Sequence, residues 1–98
     1  MRYALKDVEE SESKLAEIEA VIDSMAANWP STIVPRRSIP KFTGYLHSVK
    51  FMANRDSQKT GPEGAFTIGG QKCYPILSLT SWLKSLASVS WSKRKSIA

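Results

Sequence analysis

Lys50, Asn54, Arg55 and Gln58 stand within one nine-residue stretch of a 98-residue chain. Arginine and lysine donate to guanine edges and asparagine pairs with adenine, so residues of these types on one helix suit the reading of base pairs. Lys59 follows near the end of the same stretch. Arg36 and Arg37 lie upstream, where paired guanidinium groups suit phosphate oxygens, and Lys72 lies downstream. Each residue has a plainer use. Asn54 and Asp56 can brace the following turn through side-chain to backbone hydrogen bonds, the use favoured for Asp56, and Arg55 can simply face solvent. His47 reads as a local structural or phosphate-contacting residue, and Cys73 as a buried strand residue.

Catalytic chemistry is poorly provided for. Beyond residue 30 the only acids are Asp56 and Glu63, both near turns, and one histidine cannot complete a nucleophile–base triad. One cysteine and one histidine do not assemble a zinc site, and a lone cysteine excludes an intramolecular disulfide. The expectation is a non-enzyme without cofactor or metal, in a reducing cytoplasm and associated with the nucleoid. The chain has no apolar run of membrane-spanning length, and its acidic amphipathic start is unlike a secretory leader.

Charge is divided along the chain. Residues 1–30 hold seven acids and three bases, a net of −4, whereas residues 31–98 hold eleven bases and two acids, a net of +9. The overall +5 hides a cationic module joined to an acidic segment. Such a module attracts polyanions and releases counterions on docking; a basic surface kept for solubility is the alternative.

The elements that must position these residues are short. Ser38 can cap a helix carrying Ile39 and Phe42, with Pro40 tolerated in its first turn. Thr43-Gly44 ends it. Ser48 can cap a second helix with Val49, Met52 and Ala53 on one face and Lys50, Asn54, Arg55 and Gln58 left for another. Gly61-Pro62-Glu63-Gly64 forms a turn. Strands over 65–68 and 71–74 are joined by Gly69-Gly70, a pair suited to a tight hairpin. Pro75 leads into a helix over 76–86, where Ile76, Leu79, Trp82, Leu83 and Leu86 recur at helical spacing. The order helix, helix, hairpin, helix predicts a mainly α fold with a small β-hairpin, a winged helix-turn-helix.

Ahead of it, residues 5–28 lack Gly and Pro and form a long amphipathic helix that Pro30 stops. Val8, Leu15, Ile22 and Trp29 occupy one heptad position; Ala4, Ile18 and Met25 occupy the other, which Ser11 interrupts. Val8, Leu15, Ile18, Ile22 and Met25 therefore form a candidate coiled-coil seam for a homodimer. The same stripe can instead pack back on the basic module. Acids early in this helix are expected to complement its N-terminal dipole. Three regions result: an acidic helix over 1–30, a module over 34–87 reached through a linker with Pro30, Ser31, Thr32 and Pro35, and a basic tail over 88–98. In the tail, the cluster from Trp91 through Lys95 can touch phosphates or merely solubilise.

The ordered landmarks Thr43-Gly44, Ala53-Asn54, Asp56-Ser57, Gly61-Pro62, Ile68-Gly69, Tyr74-Pro75, Leu79 and Trp82-Leu83 resemble the small excisionase and AlpA-like regulators of phages and mobile elements, within the wider MerR-like group. The resemblance covers about residues 34–87. It implies a recognition helix in the major groove and a hairpin wing against backbone or minor groove. Arg36, Arg37, Ser48, Lys50, Asn54, Arg55, Gln58, Lys59 and Lys72 are the DNA-contacting residues it implies at matching places. Two departures stand out: Gly70-Gln71 replaces the basic residue that often follows the wing glycine, and Lys59 replaces a glycine often found after the recognition helix. The expected role is excisionase (recombination directionality factor) or transcriptional regulator, with double-stranded DNA and an integrase or another regulator as partners. The alternative is a protein-interaction adaptor, an anti-repressor or inhibitor of a host or helper-phage complex, with the heptad helix as its working part.

Overall fold

Ile18, Ile22 and Met25 of the first helix join an interior shared with Leu79, Trp82 and Leu83 of the last. The computed structural model describes the backbone of residues 2–88 and the side chains of residues 12–88. Helix α1 spans Arg2–Ala27, followed by β1 (Ile33–Pro35), a 3-10 turn (Arg36–Ser38), α2 (Ile39–Phe42), α3 (Val49–Ser57), β2 (Phe66–Ile68), β3 (Gln71–Pro75) and α4 (Ile76–Leu86). The protein is mainly helical with one small antiparallel sheet in the order β1-β3-β2.

The hairpin forms as the Gly-Gly turn predicts. Phe66 faces Cys73, Thr67 faces Lys72 and Ile68 faces Gln71, with φ of 55° at Gly69 and 80° at Gly70. Strand β1 lies where the sequence suggests only a linker. It pairs with β3, placing Val34 opposite Tyr74, and Pro35 is tolerated because β1 is an edge strand.

One core cluster runs through the molecule: Ile22, Val34, Ile39, Phe42, Met52, Tyr74, Leu79, Trp82 and Leu83, with Ile18, Met25 and Trp29 packed against it. Trp29 meets Phe42 edge-on at 5.4 Å and its indole N–H donates to the Ile33 carbonyl at 2.9 Å. Asp23 on α1 pairs with Lys84 on α4 at 2.8 Å. The stripe of α1 is thus an intramolecular packing surface, the second of the two uses open to it. This corrects the seam at Ile22, which is buried, while Ile18 and Met25 are half-buried against the same core. Leu15 is half-buried, and the side chain of Val8 lies outside the described residues. The core crosses residue 30 without a break, so the acidic helix and the basic module share one interior. A further correction concerns the helix dipole. The helix begins at Arg2 and its first turn holds no acid, which leaves Asp7 and the later acids beyond the turn where the dipole acts.

The two short helices differ from each other at their starts. Ser48 caps α3, accepting from the Phe51 N–H at 3.0 Å. Ser38 makes no side-chain cap, because it sits in helical conformation at the end of the 3-10 turn. Residues 43–48 connect α2 to α3, a longer link than the three or four residues usual between such helices. It turns through Gly44 and Tyr45, at φ of 66° and 68°. Of the apolar face expected for α3, Met52 is buried and Ala53 half-buried, while Val49 is exposed.

Candidate nucleic-acid interface

Successive residues of an α-helix are separated by about 100° of arc, so Lys50, Asn54, Ser57 and Gln58 project from one side of α3. All four are exposed. Met52 and Asp56, on the opposite side, face the interior. Ser48 is exposed but holds its hydroxyl at the helix cap. Arg37 is exposed beside β1, and Lys41 is exposed on α2; Lys41 adds a cation to those expected, and the absence of any acid between Ser24 and Arg55 is the sequence signal for a cationic surface there.

Arg36 is elsewhere. Its Nε donates to the Tyr74 hydroxyl at 3.0 Å and its Nη2 to Asp56 Oδ2 at 2.6 Å, while the Tyr74 hydroxyl donates to the same carboxylate oxygen at 2.6 Å. Tyr74 is wholly buried. Burial first, and then its hydrogen bond to Asp56, push the Tyr74 phenol up to about 12, against the opposing pull of Arg36. The hydrogen bond with Tyr74 and then Asp56 hold the Arg36 guanidinium above its ordinary value despite desolvation. This arrangement corrects two expectations. Arg36 is engaged between elements and does not lie open to phosphate, and Asp56 braces α3 against β3 and the 3-10 turn where a local turn contact was expected. It also ties one of the module's two acids to Arg36, with the Asp56 side chain 15% exposed.

Arg55 departs from the exposed face as well. Its guanidinium lies 5.2 Å from the centre of the Phe51 ring and its Nη1 donates to Thr60 Oγ1 at 3.4 Å. Phe51 in turn stacks on His47, with ring centroids 4.3 Å apart and planes within 7°. Burial, and then the charge of Arg55, lower the His47 pKa. Arg55, Phe51 and His47 form a stack on the flank of α3 that adjoins Trp82, and the Trp82 indole N–H donates to the Thr60 carbonyl at 2.8 Å. Arg55 therefore belongs to a different side of the helix from Lys50 and Asn54.

Lys59 ends α3 in left-handed conformation, φ 61°, the backbone state that a glycine at this place adopts without cost. Lys59 and Lys72 line one shallow groove with Asp56, Glu63 and Ala65. The cations expected at the helix end and on the wing are thus brought together, beside an exposed glutamate. The tail cluster around Lys93, Arg94 and Lys95 lies outside the described residues.

Among the described residues no three His, Cys, Asp or Glu side chains cluster as metal ligands, and no helix is long and apolar enough to cross a membrane. No protein-family model matches this chain, and no curated protein and no solved structure matches it.

Proposed function

We propose that this chain is a winged helix-turn-helix DNA-binding regulator of the excisionase or AlpA-like kind, which lays α3 in the major groove. The observation that carries this reading is the exposed face of α3. Lys50, Asn54 and Gln58 project together from it, and the only acid on the helix is turned inward and paired with Arg36. Lysine and asparagine on one face supply a donor for guanine and a donor–acceptor pair for adenine. Arg37, Lys41, Lys59 and Lys72 surround the helix with cations suited to phosphates. The hairpin following α3 supplies the wing, and α4 with α1 supplies the body that holds both. Ile18, Ile22 and Met25 are used inside the chain, so the DNA-binding unit needs no coiled-coil partner to complete it. Its biological role is excision control or transcription control of a mobile element.

Selection of duplexes from a randomised pool, followed by titration of the selected and scrambled sequences at physiological salt, tests the reading. The expected result is a selected duplex bound at least about a thousandfold more tightly than the scrambled one. Equal affinity for both would reduce the interaction to charge alone and remove the regulator from consideration.

A further inference from the structure

The wing tip is chemically unlike the cationic surface around it. Hairpin register sets Ile68 directly opposite Gln71, with only the two glycines between them. A Cβ on either Gly69 or Gly70 would meet nothing within 4 Å, so the tip stands clear of the rest of the protein. Ile68 is 55% exposed there, an apolar branched side chain that contributes nothing to the core. Directly opposed residues of an antiparallel pair project to the same side, and the tip therefore presents an apolar wedge beside a carboxamide. Its base is fixed: β3 is paired on both edges, and Cys73 and Tyr74 are buried. Residues 65–76 carry Lys72 and no acid.

We propose that Ile68 is a wedge that enters the minor groove of duplex DNA next to the segment read by α3 and partly opens a base step, with Gln71 hydrogen-bonding to the groove floor. The proposal rests on the DNA-binding reading given above. Minor-groove proteins kink DNA with apolar side chains of this kind and read the floor with residues that include glutamine. Two glycines at the tip keep the ribbon thin enough for close approach. The lack of a cation directly after the turn fits a contact made by shape. Pyrimidine–purine steps unstack at least cost, so the wedge makes such a step part of the site even though no side chain of α3 reads it.

The test uses the full chain with wild-type, Ile68→Ala and Lys72→Ala proteins, selected on randomised duplexes and then measured on end-labelled versions of the selected sequence by energy transfer. Wild-type protein enriches a pyrimidine–purine step at a fixed distance from the bases read by α3, prefers it about tenfold, and shortens the end-to-end distance. Ile68→Ala loses most of that preference and relaxes the bend, with an unchanged salt slope and an unchanged thermal melt. Lys72→Ala keeps the step preference and lowers the salt slope by about one. If Ile68→Ala selects and bends DNA as wild type does, the wedge is overturned while the DNA-binding reading stands. If wild-type protein selects no duplex, that reading fails and the wedge with it. Loss of self-association in Ile68→Ala without a change in bending would assign the tip to a protein contact and equally overturn the proposal.

Discussion

Replacing Asp56 with alanine removes two hydrogen bonds at once and leaves the Arg36 guanidinium without its counter-charge. The carboxylate oxygen accepts from Arg36 and from Tyr74 at 2.6 Å each, and the side chains of Arg36 and Asp56 are 23% and 15% exposed. A hydrogen bond to a charged group contributes roughly 1.5–3 kcal/mol, and breaking a fully buried pair costs about 3–5 kcal/mol. Arg36 keeps some access to water, and the Tyr74 hydroxyl keeps its bond from Arg36 Nε. The expected loss is therefore about 2–3 kcal/mol, a fall in melting temperature on the order of 10–20 °C for a domain of this size. Urea unfolding followed by tryptophan fluorescence measures it directly. A double-mutant cycle with Tyr74→Phe isolates the coupling, expected at about 1 kcal/mol or more. A loss below about 0.5 kcal/mol for Asp56→Ala, the range of ordinary surface substitutions, would refute the view that this network fixes α3 against the sheet.

The raised Tyr74 phenol favours the neutral form in the folded protein, so its contribution is complete below pH 10 and is lost as pH rises from 10 through about 12; denaturant midpoints should fall over that window, and Tyr74→Phe should flatten the fall. His47 has the opposite sense. Its pKa is lowered on folding, so the stability it contributes is present above pH 6.5 and lost as pH falls through the folded-state value, an acid dependence that His47→Phe should remove in the same assay. Ile22→Ala deletes a buried side chain shared by α1 and the module, and should cost about 2–5 kcal/mol in a single cooperative unfolding transition; a separate early transition for α1 would contradict the shared core.

Local signals were readable where one short stretch of chain determines the outcome. The spacing of Ile76, Leu79, Trp82, Leu83 and Leu86 foretells α4, Gly69-Gly70 foretells the hairpin, and Ser48 foretells the cap of α3. Strand β1 is not readable, because three residues ending in a proline carry no period and acquire strand character only by pairing with β3. The contacts of Arg36 join residues 20 and 38 positions away, and no local pattern announces them. The same holds for α1, whose heptads suit a second copy as well as they suit α4. In the candidate interface, Lys50, Asn54 and Gln58 are legible from helical spacing, but spacing does not show that the Arg55 guanidinium lies over the Phe51 ring.

Asn54→Ala tests the central claim most directly, because it removes a base-reading group from the exposed face of α3 and leaves the protein's charge unchanged. The measurement is binding of wild-type and Asn54→Ala protein to the selected duplex and to its single-base variants across a range of salt concentrations. DNA recognition through α3 predicts that the variant loses discrimination at one base pair, about 1–3 kcal/mol there, with an unchanged salt slope. Discrimination retained at every base pair would contradict it.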